Sequence, residues 1–151
     1  MRTKIITLTL LMASCVCSLA SERIINFEML PVDVQMYSRA HFPAGDDAFR
    51  NAFITYDDEM PEIAYTIVFT SGDGLIFREN HELKSYSAKT TVVPWDVLTE
   101  PVSKTLGELY PQSVIKHFEV VYVTLTKKKF EITLLDGTEL VFDEDGNLIT
   151  E

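Results

Sequence analysis

A stretch of this chain occurs twice. Tyr65-Thr66-Ile67-Val68-Phe69-Thr70-Ser71-Gly72 lines up with Phe130-Glu131-Ile132-Thr133-Leu134-Leu135-Asp136-Gly137 at a separation of 65 residues. At the same separation Leu75 and Phe77 meet Leu140 and Phe142, Glu79 meets Glu144, and Leu83 meets Leu148. Upstream, Leu30, Val34, Phe42 and Pro43 meet Leu98, Val102, Tyr110 and Pro111 at a separation of 68. A repeat of this kind constrains the fold before any single element does, because both copies must bury the same pattern.

Each copy reads as one helix followed by strands. Leu98, Val102, Leu106 and Leu109/Tyr110 recur at three- and four-residue steps, which places them on one helical face. Thr99 stands at the capping position, Pro101 falls in the first turn where a missing N–H costs little, and Pro111 stops the helix. In the first copy Val34, Tyr37, His41 and Phe42 make a shorter stripe, ended by Pro43. Val114 to Thr126 is rich in β-branched and aromatic residues and predicts a strand. Phe130, Ile132 and Leu134 alternate with polar residues, Asp136-Gly137 signals a hairpin turn, and Leu140 and Phe142 alternate back. Asp145-Gly146 marks a further turn and Leu148-Ile149 a short last strand. The expected fold is α+β: two tandem helix-plus-four-strand antiparallel units, residues 21–92 and 93–151, forming one sheet with the helices on one face.

These motifs carry a resemblance. Leu98, Val102, Leu106 and Tyr110-Pro111, followed by Asp136-Gly137-Thr138-Glu139-Leu140-Val141-Phe142-Asp143-Glu144-Asp145-Gly146-Asn147-Leu148, resemble the PepSY-like, β-lactamase-inhibitor-like domains, exported proteins of Bacteroides-type bacteria. The first copy departs from the pattern. Ser71-Gly72-Asp73-Gly74 replaces the simpler turn, His81 sits where the second copy has Gly146, and Ser38 replaces Leu106. The resemblance implies an architecture like that of the secreted β-lactamase inhibitor protein, whose two tandem units form a concave sheet that grips an enzyme. It implies no contact residues, because the matching motif is the structural one.

The first 20 residues read as a signal peptide. Arg2 and Lys4 are followed by an uncharged, mostly apolar run from Ile5 to Val16, too short to span a bilayer comfortably, and Ser18-Leu19-Ala20 supplies small residues before a cut. The expected location is periplasmic or secreted after cleavage near Ala20. The alternative is a lipoprotein, since Met12-Ala13-Ser14-Cys15 resembles a lipid-attachment box. Cleavage at Ala20 removes Cys15 and Cys17, so disulfides, thiol catalysis and cysteine–zinc sites are excluded together. It also moves the formal charge from −10 to −12, because the segment carries two basic and no acidic residues. Such an acidic chain does not bind nucleic acid, and no transmembrane span is expected in the mature protein.

The motifs of chemistry do not assemble. His41, His81 and His117 have no four-residue spacing for a metal helix, and no Gly-x-Ser-x-Gly elbow or phosphate-binding glycine loop occurs. Counted from Asp143 as a calcium loop, the sixth position is Leu148 rather than glycine, so Asp143-Glu144-Asp145-Gly146-Asn147 reads as a solvated turn. Asp57-Asp58-Glu59 and Asp46-Asp47 read likewise, and Lys127-Lys128-Lys129 as the tip of a hairpin. The chain is expected to be no enzyme and to hold no cofactor or metal.

The face of the sheet turned away from the helices is the candidate site. Side chains alternate along a strand, so if Phe130, Ile132, Leu134, Leu140 and Phe142 face the helices, Leu135 and Val141 face away. Val68, Ile76 and Arg78 do so in the first copy. Val121 with Val123, or Val120 with Tyr122, do so on the strand that is apolar on both sides. The partner-binding set is Val68, Ile76, Arg78, Val121, Val123, Leu135 and Val141, a shallow surface for a protein or peptide, with an acidic rim suited to a basic one. The alternatives are an envelope-accessory domain without a dedicated ligand, or a metal or small-molecule sensor using the acidic turns.

Overall fold

The computed structural model describes residues 22–42, 49–57 and 62–149. The signal segment with Ala20 and Cys15, and the acidic pairs Asp46-Asp47 and Asp58-Glu59, lie outside the described residues. The elements run β1 (Glu22–Ile25), a 3-10 turn (Phe27–Met29), α1 (Val32–His41), β2 (Phe49–Asp57), β3 (Glu62–Phe69), β4 (Gly74–Arg78) and β5 (Leu83–Ser87). A second 3-10 turn (Trp95–Val97), α2 (Glu100–Leu109), β6 (Ile115–Tyr122), β7 (Lys128–Leu134) and β8 (Glu139–Phe142) follow. All eight strands form one sheet in chain order, and each pairs antiparallel with the next. The fold is α+β, as the alternating patterns require.

The core is made by one parity of the strands and the inner faces of the helices. Val34, Val102 and Leu106 from the helices are fully buried together with Ile67, Leu75, Ile115, Ile132 and Phe142 from the strands. Burial of such side chains stabilises by about 1.5–3 kcal/mol each, which makes this layer the main support of a domain without disulfides. Phe42 stacks on Phe69 with ring centroids 3.7 Å apart, and Tyr37 meets Phe77 edge-on at 5.4 Å. Ser38, at the place of Leu106, is equally buried and places its hydroxyl on the Val34 carbonyl at 2.7 Å.

Four details differ from the expected pattern. The strand count is eight, but the first of them is β1, ahead of α1, whereas Leu148 makes only an isolated bridge with Phe142. Val93, 68 residues after Ile25, likewise makes one bridge, to Ile115, and Pro94 beyond it has no N–H to continue a ladder. The strand predicted to run to Thr126 ends at Tyr122, because the Thr124 hydroxyl accepts the N–H groups of Thr126 and Lys127 and turns the chain. Only Lys127 of the lysine run therefore lies in the turn, and Lys128 and Lys129 begin β7. Thr99 occupies the N-cap of α2, but its side chain makes no capping bond.

A candidate groove on the open sheet face

The register aligns two rows of side chains across the face that carries no helix. One runs Asn51, Val68, Gly74, Ser87, His117, Thr133, Glu139 from β2 to β8. The next runs Phe53, Thr66, Ile76, Ser85, Glu119, Glu131, Val141, with Ile24 of β1 opposite Phe53. Three bulges border the rows, one in β2 between Phe49 and Asn51 and one each in β5 and β6. Lys84 is the extra residue of β5 and Lys116 that of β6, and each restores the parity that would otherwise slip.

A groove of about 360 Å³ lies in this face where β5 is too short. β5 starts at Leu83 and pairs with β6 over only three positions, Ser85 to Ser87 against Glu119 to His117, while β6 continues to Tyr122. Ala64, Thr66, Ile76 and Val121 give the groove an apolar lining, and Glu62, Arg78, Lys84 and Glu119 charge its edge.

Arg78 braces one wall. Its Nε and a terminal nitrogen lie 2.7 and 3.0 Å from the two Glu62 oxygens, a bidentate pair. Its guanidinium carbon sits 3.9 Å from the centre of the Tyr122 ring. The Arg78 bond holds the Glu62 carboxyl below its ordinary value, and the same bond raises Arg78. Outside the groove's lining the Ser87 hydroxyl and His117 Nδ1 are 2.8 Å apart, and His117 Nε2 is 3.6 Å from Glu119, which lines it. This cross-strand set bridges the shortest ladder of the sheet.

The structure thus brings Ile76, Arg78 and Val121 together in the groove. Of the two parities open for β6, Val121 is the one facing outward, and Val120 joins the core. Val68 and Val141 share the face but stand outside the groove. Val123 and Leu135 are exposed and lie just past the last paired residues of β6 and β7, outside the groove. Val123 enters the β6–β7 turn, and Leu135 enters the β7–β8 turn, where it borders a separate pocket with Tyr110, Pro111 and Val114. Glu62, Lys84 and Glu119 were not singled out from the sequence, and Tyr122 entered only as part of the alternative pair with Val120. Their presence depends on the Lys84 bulge and on β5 being shorter than β6, which no single-strand pattern reports.

Two acidic turns have structural partners. Asp73, fully buried, accepts the backbone N–H groups of Lys89 and Thr90, the Ser71 hydroxyl at 2.9 Å and the Thr91 hydroxyl at 3.0 Å. Burial pushes this carboxyl up, but those bonds outweigh it and leave it below its ordinary value. Asp73 therefore ties the β3–β4 turn to the segment leading from β5 toward α2. Asp143 accepts the N–H groups of Asp145 and Asn147 and the Asn147 side-chain amide at 2.9 Å, and these bonds lower it as well. Among the described residues no three His, Cys, Asp or Glu side chains converge to hold a metal ion. No helix among them is long and apolar enough to cross a membrane.

Residues 63–150 match the family model described as "Putative beta-lactamase-inhibitor-like, PepSY-like". The match runs through both copies of the repeat, starting within the first. Among solved structures, a periplasmic protein of the DUF2874 family from Bacteroides vulgatus ATCC 8482 is 26% identical, over 85% of this chain and 94% of that one, with a TM-score of 0.72. A protein from Bacteroides thetaiotaomicron, described as a "putative calcium-regulated periplasmic protein", is 25% identical over 85% and 94%, with a TM-score of 0.70. A periplasmic protein of unknown function from Bacteroides vulgatus ATCC 8482, 21% identical over 86% and 98%, shares the fold at a TM-score of 0.71. No curated protein matches the chain. With the repeat, the eight-strand sheet and a family match over more than half its length, the chain belongs to the PepSY-like, β-lactamase-inhibitor-like family.

Proposed function

We propose that this is an exported, non-enzymatic binding protein that takes a protein or peptide partner on the open face of its sheet. The observation that carries this reading is the groove beside Ile76 and Val121, on a face that neither helix covers. An extended surface of mixed apolar and charged side chains suits a polypeptide better than a small polar metabolite. The periplasmic descriptions of the similar structures and the signal-like first 20 residues support a place outside the cytoplasm. The same reading takes residues 21–92 and 93–151 as two copies of one unit, whose junction at β5 and β6 makes the groove.

Capture from envelope extract with purified residues 21–151 tests it. Val121→Asp is expected to lose the captured partner with an unchanged melting temperature, whereas Val141→Asp, outside the groove, keeps it. Full capture by Val121→Asp sinks the groove as the site. The calcium description of one similar structure supports a second reading, a sensor. A rise in melting temperature in millimolar calcium favours it, and no shift ends it.

A further inference from the structure

The chemistry of the partner follows from how charge is arranged beside the groove, and this inference rests on the open face being the binding surface. Glu119 and Glu131 are directly opposite each other on β6 and β7. Like charges at such a position repel and weaken a sheet. Glu139, opposite Thr133, stands diagonal to Glu131 on the next strand. Among the cations nearby, Lys84 shares the groove's edge with Glu119 and acts on Glu62, whose carboxyl it lowers. Arg78 is held by Glu62 and stacked on Tyr122, and the Lys116 ammonium donates to the Thr91 carbonyl at 2.6 Å. Lys128 lies 5.3 Å from the Tyr122 ring centre. Lys129, opposite Val121, is only a diagonal neighbour of Glu119, and His117 reaches Glu119 at 3.6 Å. Apolar surface flanks the two glutamates, Val141 directly opposite Glu131 and Val121 two residues beyond Glu119.

We infer that the edge of the groove receives a lysine or arginine side chain from an extended segment of a partner protein, its alkyl stem along Val121 and its cationic head between Glu119, which lines the groove, and Glu131, which stands opposite it outside the lining. Long cationic side chains lay their methylenes on apolar surface and keep the charge at a polar edge, which is the geometry offered here. The acidic excess of the whole chain, −10 in formal charge, adds long-range attraction for the same partner.

The probe is a fluorescein-labelled five-residue peptide alternating valine and lysine, with a matched peptide carrying glutamate for lysine. Fluorescence anisotropy at low salt is expected to show binding of the lysine peptide alone, weakening as sodium chloride is raised. Glu119→Gln and Glu131→Gln are each expected to weaken it about threefold, and together about tenfold. The same substitutions are expected to raise the melting temperature of the free protein, because a repulsion is removed, so weakened binding cannot be put down to unfolding. Equal binding of both peptides, no binding of the lysine peptide, binding indifferent to the two substitutions, or a lower melting temperature each overturns the inference. Envelope capture separates the two levels. A partner lost on Val121→Asp but retained by the double glutamine variant overturns the cationic seat and leaves the binding face. A partner retained by Val121→Asp removes the face itself.

Discussion

Val32, Met36 and Ala40 on α1 stand where α2 carries Glu100, Lys104 and Glu108, each pair 68 residues apart. The two helices have the same length, follow the same 3-10 turn and press Val34 and Val102 fully into one core. Their inner faces are held to a common pattern because the sheet beneath dictates it. Their outer faces have diverged completely. Val32 and Met36 are 71% and 66% exposed, whereas the second helix shows water an alternating run of charges. The self-similarity of the sequence lets each half serve as a control for the other, and differences between paired positions show which features the fold demands and which it merely permits.

The sharpest paired difference is Ser38 against Leu106. Leu106 fills its site with apolar volume, and Ser38 satisfies its hydroxyl on its own helix. Leu106→Ser is expected to destabilise the protein by about 4 kcal/mol, since a buried leucine leaves a cavity as well as lost burial. Ser38→Ala is expected to cost under about 1 kcal/mol, because the Val34 carbonyl is not left bare inside a helix. Urea denaturation of both variants measures this. Similar losses would mean that the two helices are supported alike after all.

The closing turns give the next effect. Gly146 and His81 sit 65 residues apart, and both have positive φ, 79° and 68°. At Gly146 a Cβ would fall 2.5 Å from the Pro101 backbone, so the turn closes on the start of α2 through bare backbone. In the first copy Asp33 takes the place of Pro101, and His81 Nδ1 reaches Asp33 at 2.8 Å. That bond lowers the Asp33 carboxyl. One contact is made by the absence of a side chain and the other by its presence. Gly146→Ala is expected to lose about 3 kcal/mol through the clash and the left-handed backbone. His81→Gly is expected to lose less, since relief of backbone strain of about 1 kcal/mol offsets the missing bond. A thermal melt in which His81→Gly is the worse variant would overturn the comparison.

How far the sequence disclosed these features depends on their range. The helix around Val102 and Leu106 and the hairpin at Asp136-Gly137 rest on periodicity and local turn chemistry, and the structure shows them close to the expected bounds. The parity of Ile132 and Leu140 against Glu131 and Val141 was equally legible. β1 was not, because four residues at a sheet edge owe their state to pairing with β2. Asp73 looked like a turn residue, and its partners Lys89 to Thr91 lie 16 to 18 positions away. The groove was legible only as a face. Its place follows from one extra residue in β5 and from unequal strand lengths, both properties of pairing rather than of either strand.

Asp73 has Thr138 as its counterpart, and among the described residues the second half has no comparable buried carboxylate. Asp73→Asn is expected to destabilise by about 2 kcal/mol at neutral pH, because an amide cannot accept the same set of N–H and O–H groups. The carboxyl is held below its unfolded value, so its stabilisation is complete above about pH 4 and is lost as pH falls through the folded value. Melting temperatures between pH 5 and pH 2.5 are expected to fall more steeply for the natural protein than for Asp73→Asn. Parallel curves would show that Asp73 is not the acid-sensitive tie between the β3–β4 turn and the segment that follows β5.

The smallest effect tests the opening comparison directly. Val32→Glu with Met36→Lys writes the outer face of α2 onto α1. If the fold only permits the apolar stripe, stability should stay within about 0.5 kcal/mol, as for exposed positions generally. The new pair is spaced four residues apart with the acid first, an arrangement worth about 0.3–0.5 kcal/mol. The glutamate would also occupy the first turn, where the helix dipole favours negative charge. The expected result is therefore an unchanged or slightly raised melting temperature, together with less self-association in sedimentation, since exposed Val32 and Met36 form the apolar outer side of this helix beside Met29 of the preceding 3-10 turn. A loss beyond 1 kcal/mol would mean that Val32 or Met36 supports the fold despite its exposure, and the two outer faces would then differ by structural demand rather than by freedom.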